Sequence, residues 1–399
     1  MSEGVFGRRG GRRRTLVIGT VAVALVAVAA GSVFAGGFIS DNAWPYAGTS
    51  DSPVLAVVGD ISCQPGPKLE SEKASDVCTG DPTRNAAQAA TANQIEADQP
   101  DLVAILGDEQ YQVGRYEDFM GSYDKSYGAF KFLQRPSPGN HEFYTSHGET
   151  GDNGVGYFDY FNGFQLNTDG SPQTDTYNVT TPGNTGTFTQ PRPRTNGQAG
   201  EVGQGWYSYD LGDWHIISLN IECETQPGGC DPNGSWLQSE TQWLSQDLSA
   251  SKTQCTIAYW HQPTFSSTEA PTVSVDGQAA DAWWKLLYQH GADIVLNGHD
   301  HVYTRFAPMD PNGKPDPKKG IREFIVGTGG ESLDTIIPTP STPNVEAATD
   351  QFYGTMKLTL NHNSYSWDFE SALRNPTAPA GTPATYSDTG SGKCHGPAH

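Results

Sequence analysis

The chain has 399 residues, 36% of them hydrophobic and 11% aromatic, enough to bury a core as one large domain or two of ordinary size. Its 46 glycines and 27 prolines favour many turns and exclude a helical bundle as the main architecture. Against 24 Lys and Arg stand 45 Asp and Glu, a formal charge of −21 that repels nucleic-acid backbones and excludes nucleic acid as a binding partner. A protein this acidic needs local cations to handle phosphate, and metal ions are one source.

The chain opens with "RRGGRRR" and an uncharged apolar run from Leu16 to Ala35. Residues 1–35 read as an export signal or as an uncleaved membrane anchor through 16–35. Either places the working part outside the cytoplasm, secreted or anchored with its body outside. A Gly- and Ser-containing spacer, 36–52, leads into the main domain, 53–372. There, apolar runs end in polar signatures: "VLAVVGD", "DLVAILGD", "HIISLN", "TIAYWH" and "ADIVLNGHDH". Runs of this kind are buried strands. "TRNAAQAATANQIEADQP" between the first two predicts a helix ending before Pro100, hence a β-α-β unit with parallel pairing. "AADAWWKLLYQHG" (279–291) predicts a second helix, its tryptophans in the core. The polar stretch 165–204 reads as a structureless insert, either a surface loop or a lid. Residues 373–399 read as an extended tail tied by Cys394.

Six cysteines follow the export segment, with no C-x-x-C among them. In an oxidising compartment they predict three disulfides rather than a zinc site. Fifteen pairings are possible, and proximity suggests Cys63–Cys78 and Cys223–Cys230, leaving Cys255–Cys394.

Five strand ends carry metal-type side chains: Asp60 in "GDIS", Asp108 and Tyr111 in "GDEQY", Asn140, His141 and Glu142 in "GNHE", His261 in "AYWHQP", and His299 and His301 in "GHDH". Ligands gather at the carboxyl ends of strands because loops there converge on a crevice. Two histidines two apart in extended chain point to one side. A mixed set of carboxylate, amide and imidazole suits borderline-hard ions such as iron, zinc or manganese. Other residues carry plainer expectations. His215 reads as a structural histidine, His147, His290, His362, His395 and His399 as surface, and Arg305 as an ion pair.

Jointly the five blocks resemble the calcineurin-like metallophosphoesterase superfamily, and "GDEQY" with "AYWH" resembles its purple acid phosphatase branch. The resemblance spans roughly 54–370. It implies a four-layer αββα sandwich, two mixed sheets flanked by helices. It also implies a first metal on Asp60, Asp108, Tyr111 and His301, and a second on Asp108 as bridge, Asn140, His261 and His299. The cofactors implied are two divalent or trivalent ions, iron with zinc, manganese or a second iron. Most of the superfamily places a histidine where this chain has Ser62, and in the purple branch the tyrosine replaces it, which assigns that role to Tyr111. Asp108 and His141 are the implied catalytic pair, with His141 donating a proton or binding phosphate, and Glu142 is expected to orient a histidine from behind. The function implied is an exported phosphatase that cleaves small-molecule phosphate monoesters by attack of a metal-bridging hydroxide. A phosphodiesterase or nucleotidase of the same fold is the alternative, and a non-catalytic extracellular metal-binding protein the second.

Overall fold

A computed structural model of the protein describes residues 51–66, 77–80, 82–146, 153–181, 184–268, 279–337 and 344–396. The expected export segment 1–35, the spacer through residue 50, and the histidines at 147 and 399 lie outside these residues. Among the described residues no helix is long and apolar enough to cross a membrane.

The first apolar run forms the strand Val54–Val58, parallel to Leu102–Leu106, with the helix Pro82–Asp98 between them. Alternation along these strands divides the core. Leu55, Val57, Leu102, Ala104 and Leu106 face a second sheet. Ala56, Val58, Val103 and Ile105 face Ile95 of the helix and the aromatic rings of Tyr123 and Phe158. Strands buried on both faces in this way read as continuous apolar runs, as parallel sheets require.

The first sheet has six strands in the order Ser387–Lys393, Ser364–Arg374, Phe352–Asn361, Val54–Val58, Leu102–Leu106 and Gln134–Ser137. The second has seven, and its centre is four parallel strands: Trp214–Ser218, Cys255–Tyr259, Ile294–Asn297 and Arg322–Val326. Ile216, Ile257, Tyr259, Ile294 and Leu296 look inward between the sheets. Ile217, Ala258 and Val295 look outward onto Leu244, Trp283 and Trp284 of the helices Ser235–Ala250 and Asp281–Gln289. The expected αββα layering and the core tryptophans are present, and all three expected disulfides are formed.

Two expectations about whole segments are corrected. Residues 165–204 are not structureless. Thr174–Thr181 and Asn184–Pro191 form an antiparallel hairpin, extended to a third strand by Thr145–Ser146. Past the hairpin, Asn162 accepts from the Ala199 amide at 2.8 Å and Gln198 donates to the carbonyls of Lys131 and Gln134 at 2.6 Å, so the segment is docked.

Nor is the tail held by Cys394 alone, because Ser387–Lys393 is the edge strand of the first sheet. Its glycines make room for neighbouring rings: a Cβ at Gly390 would lie 2.1 Å from the Trp367 ring. Asp388 fixes the strand to both sheets, accepting from Tyr303 Oη at 2.6 Å, Arg305 Nε at 2.7 Å and Trp367 Nε1 at 3.2 Å. The guanidiniums of Arg305 and Arg322 both lie over the Trp367 ring, 4.8 and 4.9 Å from its centroid. Arg305 is the ion-pair residue expected.

His215 is the structural histidine expected, its Nδ1 2.9 Å from Asp210 and its Nε2 2.8 Å from Asp247. His362 is exposed beside Asp213. His395 departs from the surface reading: it is half-buried, its amide donating to Asp293 at 2.6 Å.

Two measurements check these assignments. Replacing the Cys255–Cys394 pair with serines is expected to cost about 2–4 kcal/mol, while hydrogen exchange still finds the amides of 387–393 protected; loss of that protection would mean the tether alone orders the tail. For His215, burial opposes protonation, but the bonds to Asp247 and Asp210 outweigh it and raise its pKa. Its clamp is therefore fully present below the unfolded value, about 6.5, and is lost as pH rises through the raised native value. His215→Gln should lower the melting temperature more at pH 5.5 than at pH 9, and equal losses would rule out a charged clamp.

Candidate metal centre

The strand ends that the sequence singles out meet at one place. Asp60, Asp108 and Asn140 follow three neighbouring strands of the first sheet, while His261 and His299 follow two neighbouring strands of the second. The chain must turn sharply there. Asp60, Asp108 and His299 all hold left-handed backbone, with φ of 59°, 48° and 66°. Such conformations are costly for residues with a Cβ and cluster at functional sites. The glycines of the motifs serve close approach between ligand segments: a Cβ at Gly139 would lie 2.2 Å from Asp108 Oδ1, and one at Gly298 2.6 Å from Asp60 Oδ2.

Tyr111 Oη lies at the junction, 3.1 Å from Asp60 Oδ1, 2.9 Å from Asp108 Oδ2 and 3.0 Å from His301 Nε2. Ser62 makes none of these contacts. Its hydroxyl meets no partner among the described residues, while its backbone amide donates to the Glu109 carbonyl. On the other side of Asp108, His261 Nε2 is 3.2 Å from Oδ2, and His299 Nδ1 is 3.4 Å from His261 Nε2. Single donor atoms of Asp60, Asp108 and His261 lie within 4.8 Å of one another. Asp108 thus sits between two sets, one formed with Asp60, Tyr111 and His301, the other with His261 and His299.

Backbone carbonyls fix the rings. A carbonyl can only accept, so His261 Nδ1 donates to Leu106 O at 2.7 Å, His301 Nδ1 to Ser332 O at 2.7 Å and His141 Nδ1 to Gln112 O at 2.6 Å. In each case Nε2 is left facing the centre. None of these carbonyls leaves a sequence signature, since each depends on backbone shape rather than residue type. His141 lies over the Tyr111 ring at 4.2 Å between centroids, with Nε2 3.8 Å from Asp108 Oδ2.

Glu142 corrects an expectation, for it does not hydrogen-bond a histidine. Its carboxyl accepts from three backbone amides, Asp108 and Gln110 at 3.0 Å and Gly139 at 2.9 Å. It clamps the Asp108 loop to the Asn140 loop. Glu109, inside "GDEQY" yet not singled out from the sequence, is buried beside it. Burial and the charge of Glu142 push the Glu109 carboxyl well up. Burial and Asp108 raise Glu142 to about 8.

The electrostatics ask for positive charge. Burial opposes protonation of His261 and His301, yet Asp108 lifts the first to about 10 and Asp60 the second to about 9. Burial works against ionisation of Asp108 too, but His261 and His141 hold its pKa far below the ordinary range. Burial and then His261 depress His299 to about 3, and burial followed by Asp108 and Asp60 pushes Tyr111 well up.

The donor set fits metal ions on three counts. Oxygen and nitrogen donors converge in a buried pocket, and the imidazoles are oriented from behind as metal-bound histidines are. Asn140 supplies the third: its Oδ1 is buried without a hydrogen-bond partner among the described residues, while Nδ2 reaches Tyr144 Oη at 3.3 Å.

The family model "Calcineurin-like phosphoesterase" matches residues 53–303. The acid phosphatase of Aspergillus ficuum is 29% identical over 233 residues, covering 45% of this chain and 37% of that protein. Purple acid phosphatase 21 of Arabidopsis thaliana is 27% identical over 196 residues, 48% of this chain and 42% of the relative. The chain therefore spans less than half the length of these curated relatives. The purple acid phosphatase from yellow lupin (Lupinus luteus) seeds shares the fold at a TM-score of 0.55 and 18% identity, covering 86% of this chain and 55% of the lupin chain. With the family model matched over more than half its length, the chain belongs to the calcineurin-like phosphoesterase family.

Proposed function

We propose that the protein is an exported phosphatase that hydrolyses small-molecule phosphate monoesters at a dinuclear metal centre. The observation that carries this reading is the meeting of two donor sets on one carboxylate, Asp108, beneath a half-buried histidine. Asp60, Asp108, Tyr111 and His301 would hold one ion, and Asp108, Asn140, His261 and His299 the other. When bound, the ions supply Lewis acidity and the positive charge that attracts and polarises a phosphate. Phenolate is a hard anionic donor, which favours iron in the first position. The three disulfides favour a compartment outside the cytoplasm.

The chain's own residues supply the rest. Asp108 holds the two donor sets in register, and Glu142 prevents its loop from moving by accepting three amides. His141 stands at the open side with its Nδ1 committed to Gln112 O, so its Nε2 is the proton-carrying atom. It donates that proton to the departing alcohol oxygen. Burial keeps the His141 pKa below the usual histidine value, against the pull of Asp108. The proton-bearing form is thus the acidic form.

Asp108→Asn should lower kcat by about 10³-fold or more and reduce bound metal. His141→Ala should cost about 10²–10³-fold with metal content unchanged. In the wild type, turnover should fall as pH rises through a value below the ordinary histidine value of about 6.5, and that limb should flatten in His141→Ala. Retention of the limb would remove His141 as the acid.

The deciding comparison is p-nitrophenyl phosphate against bis-p-nitrophenyl phosphate, before and after chelation and metal return. Chelator-sensitive cleavage of the monoester is expected. Preference for the diester would replace the monoester reading, and metal-loaded protein that cleaves neither would contradict phosphatase activity.

A further inference from the structure

We infer that Arg84 and Glu331, a buried ion pair outside every motif that carries the centre, position one half of it, the half formed by Asp60, Tyr111 and His301. The inference rests on the two-ion reading above.

Arg84 lies in the first turn of the helix Pro82–Asp98 and is 3% exposed; Glu331 is 6% exposed in the loop that follows Arg322–Val326. Their side chains are paired through Arg84 Nη2 and Glu331 Oε2. From Glu331 the contacts run directly to the centre. Its amide donates to the Asp60 carbonyl at 3.0 Å. Its Oε1 accepts from the Ser332 amide at 2.8 Å, and the Ser332 carbonyl is the acceptor that fixes His301 Nδ1. Two residues on, Asp334 accepts from the His301 amide at 2.9 Å and donates its own amide to the His301 carbonyl at 3.1 Å. The other end of the pair reaches Tyr111, because the guanidinium carbon of Arg84 lies 5.9 Å from the centroid of that ring. A second strap from the same helix, Thr91 Oγ1 to the Gly329 carbonyl at 2.6 Å, holds the loop's other end.

All three residues of one donor set are therefore touched by a single unit of helix and loop. The other set is held differently, His261 by the Leu106 carbonyl and the Asn140 loop by Glu142. A buried ion pair adds little stability over an apolar pair of equal volume. What this pair adds is direction, as it joins the helix to the loop at the point where that loop turns His301 inward. Arg84 and Glu331 are positioning residues, acting through Ser332, His301 and the Asp60 backbone.

The test is calorimetric titration of the metal-free full-length protein with Zn(II), with bound metal per chain counted independently. The variants are Arg84→Met, Arg84→Lys, Glu331→Gln and the double change Arg84→Met with Glu331→Met, which removes both charges and leaves neither buried alone. Partners that orient a ligand from behind are worth about 10–100-fold in metal affinity. One of the two binding phases should weaken by that factor in Arg84→Met and in the double variant, with the other unchanged within about twofold. Arg84→Lys should recover part of the loss. Equal weakening of both phases would show general loosening and overturn the inference, as would wild-type binding by the double variant. A wild-type chain that takes up fewer than two ions would overturn the two-ion reading itself and this inference with it.

Discussion

Two carboxylates buried side by side set the terms for the whole structure. Asp60 and Asp108 are at most 2% exposed and share one phenol hydroxyl. Unbalanced charges at that depth are costly. The fold answers with imidazoles, His261 beside Asp108 and His301 beside Asp60, whose pKa values the carboxylates raise to about 10 and about 9. A pocket that favours positive charge in this way suits divalent ions, which compete with protons for the same donor atoms. Metal affinity and acidity are thus two expressions of the same constraint.

Topology makes that crowding possible. Parallel strands bring their carboxyl ends to one edge, so residues far apart in the chain arrive together without long excursions. The cost appears in the backbone, where Asp60, Asp108 and His299 are held left-handed. It appears again in the glycines at 139 and 298, which cannot carry a Cβ without meeting a neighbouring carboxylate. Glu142 offsets some of this by taking up three amides of the turning loops.

Much of this was legible from the chain because the informative residues are punctuated. Three of the apolar runs stop at a Gly-Asp or Gly-His and the others at Asn220 or His261, and burial on both faces makes those runs continuous. The tyrosine of "GDEQY" stood out because its motif differs visibly from the plain Gly-Asp, and its phenol lies against Asp60 and Asp108. Other features carried no such mark. The hairpin 174–191 alternates threonines with few apolar residues, so its strands read as polar linker. The edge strand 387–393 carries no apolar side chain, and its glycines at 390 and 392 leave room for the Trp367 and Tyr365 rings of the neighbouring strand. Arg84 and Glu331 lie in segments without motif, and what they do depends on a loop's path rather than on residue pattern.

The docked hairpin bears on how the open side of the centre is built. The chain leaves Asn140 and His141, makes the short helical turn Glu142–Tyr144 and at once becomes Thr145–Ser146, the strand that pairs with Thr174–Thr181. Tyr144 faces both ways, its hydroxyl near Asn140 and its ring 5.2 Å from that of His141. The segment carrying Asn140 and His141 is thus continuous with the small sheet. That sheet is in turn fastened to the main body, since the guanidinium of the buried Arg115 packs over Phe188. Residues 165–204 are therefore part of the frame that holds one wall of the site. Changes in the hairpin would reach the chemistry through the backbone of residues 140–145, without any of its side chains having to touch substrate.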